Sequence, residues 1–141
     1  LDRHQVRFEL EIAPDVPALT TDRHNVLQIL QNFVSNAIHA TKAKLPGQRL
    51  IVVRAERLDA DRVALSVRDN GAGIPPENLP RIFRLGFTTR KDGHGFGLHS
   101  GVLAARSLGG ALDVFSAGAG QGATFTLTLP IRLAEPAFKT T

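Results

Sequence analysis

Three groups of residues have types and spacings suited to chemistry. Asn25, Gln28, Asn32, Asn36 and His39 recur at intervals of three and four, which on a helix gathers them into one polar stripe. Solvated helix faces are normally rich in Lys and Glu. This stripe is made of amides, mediocre helix formers that do well only where their side chains find partners. Neutral oxygen donors suit Mg²⁺ that already carries the charges of a polyphosphate, because that ion keeps several waters and takes few protein ligands. A solvated face and a metal–polyphosphate site are the two readings open for the stripe. The second group is Asp69-Asn70-Gly71-Ala72-Gly73-Ile74-Pro75-Pro76. Asn-Gly commonly makes a two-residue hairpin turn, but Pro75-Pro76 cannot continue into a paired strand. A carboxylate left at a strand end, followed by glycines that allow close approach, is a ligand-facing arrangement. Aspartate only accepts hydrogen bonds, so it can recognise an exocyclic amine such as that of adenine. The third group, Gly93-His94-Gly95-Phe96-Gly97-Leu98, opens a helix. Glycines there let backbone N–H groups approach phosphate oxygens at the positive end of the helix dipole; a flexible loop before a helix is the alternative. The chain has no Gly-x-x-x-x-Gly-Lys, which excludes a P-loop, and no dinucleotide fingerprint follows a strand. Gly118, Gly120 and Gly122 read as a hairpin turn rather than a phosphate loop.

These residues need elements to position them. Val6, Phe8, Leu10 and Ile12 alternate with polar residues as in a half-buried strand, ended by Pro14 and Pro17. From Asp22, a fitting N-cap, apolar residues at Val26, Ile29, Leu30, Phe33, Val34, Ala37 and Ile38 predict a helix to about Lys44, with the amide stripe opposite its apolar face. Residues 50–57 and 62–69 read as a hairpin about 58–61. A short helical turn falls near 77–83, followed by a long irregular segment to about Gly97. A helix over 98–108 is then ended by Gly109-Gly110, and residues 111–116 and 123–129 form a closing strand pair. Strands and helices mix without βαβ alternation, which predicts an α+β two-layer sandwich.

The composition narrows the function. With 141 residues the chain is one domain, with a core over about 6–130 and a patternless tail at 131–141. It has no cysteine, which excludes a disulfide scaffold, a thiolate zinc site and a cysteine nucleophile. It has no methionine either, so the expectation is a soluble piece of a longer protein. The net charge of +4 comes from arginines spread singly, with little aromatic interleaving, which reads as plain solubility and not as a nucleic-acid surface.

Taken together, these segments resemble one family along almost the whole chain, from Val6 to Pro130. Residues 28–40, from Gln28 to Ala40, resemble the N box of the histidine-kinase ATP-binding domain. Asp69 to Ile74 is similar to its G1 box, Ile82 to Thr89 to its F box, and Gly93 to Leu98 to its G2 box. Gly120 to Pro130 is similar to its closing strand. The family is the sensor histidine kinases of two-component systems, within the wider group that shares the Bergerat ATP-binding fold with type II topoisomerases, heat-shock chaperone ATPases and mismatch-repair ATPases. The resemblance implies about five strands in a mixed sheet, backed by three helices, with a mobile lid over ATP.

It also implies residue roles. Asn36 would be the side-chain ligand of Mg²⁺, with Asn32 one turn earlier near the phosphates and His39 and Ala40 beside them. Asp69 would accept from the adenine amino group, Thr124 would support it through water, and Gly71, Gly73 and Ile74 would shape the base pocket, Gly73 letting the base lie close. The lid would run from about Arg84 to Phe96, with Phe87 and Thr88 in its F box and Arg90 and Lys91 as phosphate contacts. Gly93, His94, Gly95, Phe96, Gly97 and Leu98 would complete the site, Gly95 and Gly97 giving hinge and backbone donors. His94 and Phe96 depart from the family's usual Thr or Ser and Leu. Gly101, inside the last helix, costs up to about 1 kcal/mol against alanine.

One position separates kinase from ATPase. Hydrolysing relatives carry a glutamate four residues before the metal asparagine; here that residue is Asn32, which cannot take a proton from water. Histidine kinases supply the phosphoacceptor as a histidine followed by an acidic residue, on a separate dimeric helical domain. His4, His24, His39, His94 and His99 are followed by Gln5, Asn25, Ala40, Gly95 and Ser100. The acceptor and the dimerising helices are therefore expected upstream, with no catalytic residue in this chain. The full protein is expected to be a homodimer acting through a response regulator, with this domain in the cytoplasm and touching neither membrane nor nucleic acid. The alternatives are an ATP-binding regulatory module without transfer activity, and a serine-directed kinase or ATPase of the same fold.

Overall fold

The structure, a computed structural model, describes residues 5–82 and 96–131. Its elements run β1 (Val6–Ile12), α1 (Arg23–Thr41), β2 (Arg49–Arg57), β3 (Arg62–Asp69), a short 3-10 helix (Pro76–Arg81), α2 (Phe96–Ser107), β4 (Ala111–Phe115) and β5 (Ala123–Pro130). The strands form one sheet in the order β1-β2-β3-β5-β4. β1 is parallel to β2, and the other neighbours are antiparallel. This is the expected α+β sandwich with a five-stranded mixed sheet. Among the described residues only two of the three expected helices are α-helical. The third is 3-10, with Pro at its start and Pro80 inside, where missing N–H groups prevent an α-helical ladder.

The core lies between one sheet face and the helices. Asp22 caps α1, its Oδ1 accepting from the Asn25 N–H at 3.2 Å and its Oδ2 from the Asn25 side-chain amide at 3.1 Å. The first amide of the stripe is thus engaged by the cap. Val26, Ile29, Phe33, Ala37 and Thr41 form the buried face of α1. Phe33 meets Phe125 of β5 with ring centroids 5.4 Å apart. It packs in one cluster with Ile51, Val63, Val67, Leu127 and Leu129, and burying such a side chain is worth about 1.5–3 kcal/mol.

Two expectations need correction. The amide stripe borders the buried face and does not oppose it. Asn25, Gln28, Asn32 and Asn36 each precede a buried residue by one position, and one residue turns a helix by only about 100°. The face opposite the core carries the exposed His24, Gln31, Ser35 and Lys42. Asn25, Asn32 and Asn36 are consequently half-buried. In β1 only Val6 is buried; Phe8, Leu10 and Ile12 share its side but stay 45%, 69% and 61% exposed, since the helix layer does not extend over this edge strand. At Gly101 an added Cβ would stand 3.0 Å from the Leu112 Cδ1 of β4, the end of a flexible side chain.

Candidate functional site

β3 ends at Asp69, and the chain then leaves the sheet instead of turning into a hairpin, as Pro75-Pro76 requires. Asn70 makes the exit. Its Oδ1 accepts from the Leu50 N–H at 3.0 Å and its Nδ2 donates to the Gln48 carbonyl at 2.9 Å, so a side chain stands in for the next rungs of the ladder with β2. From there the loop folds onto the C-terminal end of α1. The Ala72 N–H donates to the Ala40 carbonyl at 3.0 Å, and a Cβ on Gly71 would collide with that same carbonyl.

The β4–β5 turn closes on the other side of this loop. The Gly120 N–H donates to Ala72 O at 2.6 Å and the Gly122 N–H to Gly71 O at 3.2 Å. Gly73 has φ +71°, and the Gly118 carbonyl fills the space where its Cβ would be. Three backbone segments therefore stack within van der Waals reach: the end of α1, the loop after β3 and the β4–β5 turn. The close approach that Gly71 and Gly73 permit on their Cβ sides is to protein backbone. Sequence alone suggests an approach to a base.

Asp69 lies at the centre of this stack and is 5% exposed. Its Oδ1 accepts from the Gly71 N–H at 2.8 Å. Burial pushes its carboxyl up from the ordinary carboxylate range, and hydrogen bonds from the Gly71 and Ala123 N–H groups pull it partly back. No ion pair involves it among the described residues. A carboxylate offers about four lone-pair directions, so two N–H donors leave capacity for a ligand donor.

The candidate residues divide into groups. Asn32, Asn36, His39 and Ala40 lie on the C-terminal half of α1, and the last turn of that helix is where the loop after Asp69 docks, through the Ala72–Ala40 bond. Ile74 and Leu98 are both 9% exposed and belong to the one buried core cluster. Phe96 and Gly97 open α2, a helix start of the kind that favours anions. Phe87, Thr88, Arg90, Lys91, Gly93, His94 and Gly95 lie outside the described residues, as does the tail from 132.

Thr124 lies on β5, one position beyond the residue opposite Asp69. It pairs in register with Arg68, whereas Ala123 pairs with Asp69. Side chains alternate along a strand, so the Thr124 hydroxyl belongs to the open sheet face. There it lines a cavity of about 250 Å³ with Val52, Arg68 and Phe115, and Asp69, Gly122 and Ala123 line the same cavity. The support that β5 gives Asp69 is the Ala123 backbone N–H. Sequence reasoning missed this, along with the Asn70 anchor. The alternation of Ala123, Phe125, Leu127 and Leu129 with threonines carried the signal for the face of Thr124.

No group of three or more His, Cys, Asp or Glu residues able to hold a metal ion occurs among the described residues. The donor set thus offers no all-protein cage. A single half-buried amide such as Asn36 fits Mg²⁺, which takes most of its oxygens from phosphates and water. Among the described residues no helix is long and apolar enough to cross a membrane.

Residues 21–133 match the family described as histidine kinase-, DNA gyrase B-, and HSP90-like ATPase. The chain is 40% identical over 113 residues to the sensor histidine kinase ZraS of Salmonella typhi, covering 80% of this chain and 23% of that protein. It is 38% identical over 128 residues to the nitrogen regulation protein NtrY of Azorhizobium caulinodans, covering 89% of this chain and 16% of that one. The chain therefore spans less than a quarter of the length of these curated relatives. Among solved structures, the mycobacterial sensor histidine kinase MprB aligns with TM-score 0.79 at 26% identity, over 94% of this chain and 88% of that one. Full-length ShkA in complex with AMPPNP aligns with TM-score 0.80 at 30% identity, over 94% of this chain and 27% of that one.

Proposed function

Because the chain belongs to the histidine kinase-, DNA gyrase B- and HSP90-like ATPase family, we propose that it binds ATP with Mg²⁺ and donates the γ-phosphoryl group to a histidine on a separate helical domain of a sensor histidine kinase. The observation that carries the nucleotide reading is Asp69: a buried carboxylate at a strand end, held by two backbone N–H groups, with acceptor capacity left over. It takes the adenine amino group. The amides of Asn32 and Asn36 meet the phosphate end, and Asn36 would hold Mg²⁺, which supplies charge neutralisation when bound. Arg90 and Lys91 add positive charge there beside His39, and the backbone from Gly93 to Leu98 adds N–H donors, with Phe87 and Thr88 on the lid side.

Phosphoryl transfer asks the donor site for positioning and electrostatics, not for covalent chemistry. Asn32 at the place of the water-activating glutamate favours transfer over hydrolysis, and no histidine of this chain has an acidic neighbour to make it the acceptor. The acceptor, the homodimer contact and the route to a response regulator belong to the rest of the protein, and this domain works in the cytoplasm.

Incubation with γ-labelled ATP tests the proposal. The chain alone should neither become labelled nor release phosphate faster than about one turnover in several minutes, far below a median enzyme. Addition of the upstream helical domain should put an acid-labile, base-stable label on that partner. Brisk phosphate release by the chain alone would make it an ATPase, and an acid-stable label would make the acceptor serine or threonine.

A further inference from the structure

Ser116 plays no part in the nucleotide reading, yet its side chain joins two loops of the site. It follows β4 directly and is 8% exposed. Its Oγ accepts from the Ile74 N–H at 3.0 Å and the Gly118 N–H at 3.2 Å, and donates to the Gly122 carbonyl at 2.7 Å. The Gly118 carbonyl, at 3.3 Å, is a more distant acceptor for the same proton. A hydroxyl has one proton and two lone pairs, so all of its capacity is used. The bond to Ile74 spans 42 residues of sequence and clamps the loop after Asp69 to the turn before β5.

We infer that Ser116 is a positioning residue for base recognition: it fixes the Gly122–Ala123 backbone against the loop after β3 and so sets the direction of the Asp69 carboxylate. Two short paths run from the hydroxyl to that carboxylate. In one, the hydroxyl holds Gly122, the Gly122 N–H donates to the Gly71 carbonyl at 3.2 Å, and the Gly71 N–H holds Asp69 Oδ1 at 2.8 Å. In the other, Gly122 is followed by Ala123, which pairs in register with Asp69 and whose N–H draws its carboxyl back toward the ionised form. Removal of the hydroxyl leaves the Ile74 N–H and the Gly122 carbonyl buried without their partner. The cheapest relief is a small separation of the two loops, which moves both N–H groups that aim Asp69. The phosphate end meets these paths only at second hand, where the Ala72 N–H bonds the Ala40 carbonyl at the end of α1, so it should feel the change less than the base end.

The inference rests on Asp69 meeting the base, and the test separates the two. ATP, GTP and inorganic tripolyphosphate are titrated with Mg²⁺ into the wild-type chain, Ser116→Ala and Ser116→Thr, and the Gly71 amide resonance is followed by NMR without ligand. Ser116→Ala should weaken ATP about 10-fold, narrow the preference for ATP over GTP by a similar factor and weaken tripolyphosphate clearly less. Ser116→Thr, which keeps the hydroxyl, should restore most of the affinity. The Gly71 amide should shift in Ser116→Ala and stay near its wild-type position in Ser116→Thr. Unchanged ATP affinity with an unmoved Gly71 amide overturns the inference, and so does an equal loss for ATP and tripolyphosphate, which signals general loosening. A wild-type chain without preference for ATP overturns the Asp69 reading instead, and the Gly71 resonance then decides alone whether Ser116 orients that carboxylate. If Ser116→Ala does not fold, Ser116→Cys, with its weaker donor, carries the same expectations at smaller amplitude.

Discussion

Each end of β3 has an aspartate, and the two carboxylates have opposite surroundings. Asp59, in the turn before the strand, is exposed and bound by residues of its own turn: Arg62 Nη2 stands 2.8 Å from Oδ2, and the Asp61 N–H donates to Oδ1 at 2.9 Å. The hydrogen bond from Arg62, then that from Asp61, holds its carboxyl below the ordinary range. Asp69, the last residue of the strand, is buried with no paired cation among the described residues, and desolvation raises it. Residue type is the same, so environment alone makes one a turn residue and the other the candidate site residue. A buried carboxylate left with acceptor capacity is a cost to the folded state. Such violations of the folding rules concentrate where a ligand completes the arrangement.

The contrast can be sharpened by breaking each end in turn. The Asp69 end depends on backbone packed against backbone, so Gly73→Ala should do the most damage. It forces an L-residue to φ +71° and drives a methyl into the Gly118 carbonyl. The strain of about 1–2 kcal/mol and overpacking of about 1–3 kcal/mol together predict a loss of about 3 kcal/mol in urea unfolding. Gly47→Ala is the control, because its φ is +90° but nothing lies within 4 Å of an added Cβ; only the strain should be lost.

Smaller effects come from titration, and the two aspartates should act with opposite sign. The folded-state carboxyl of Asp69 is raised, so its contribution is fully present below the unfolded value near 3.9 and declines as pH rises through the folded value. Stability curves of wild type and Asp69→Asn from pH 4 to 7 should therefore move in favour of the variant as pH rises. A constant difference would show that burial does not perturb the group. For Asp59 the folded value is depressed, so its contribution is present above about 3.9 and lost as pH falls through the folded value. Asp59→Asn should change stability only slightly at neutral pH and remove part of the acid dependence. The smallest expected effect is that of Gly101→Ala. Its half-exposed neighbour Leu112 can turn away, so the helix propensity gained leaves a net stabilisation below about 1 kcal/mol.

Much of the fold was legible because it is locally encoded. The alternation of β1 and the Asp22 cap placed their elements closely, and the apolar spacing of α1 found the helix but carried it three residues past its end at Thr41, since periodicity and capping act over one or two turns. The strand-end character of Asp69 was legible from Pro75-Pro76 for the same reason. What sequence left hidden is long-range. That Gly71 makes room for Ala40, Gly73 for Gly118, and Ser116 for Ile74 depends on how loops stack, which no local pattern records. Thr124 is a different case: its neighbours alternate cleanly, so its face was readable, and the register sets it beside Arg68 while it shares a cavity with Asp69.

The central claim is that Asp69 reads the amino group of adenine, and calorimetric titration of ATP against GTP with wild type and Asp69→Asn tests it most directly. Loss of a buried charge-assisted bond and its replacement by an unmatched donor should weaken ATP by about 2 kcal/mol, roughly 30-fold, and erase the wild-type preference for ATP over GTP. Equal affinity of the wild-type chain for ATP and GTP, or an Asp69→Asn variant that keeps its ATP affinity, would contradict it.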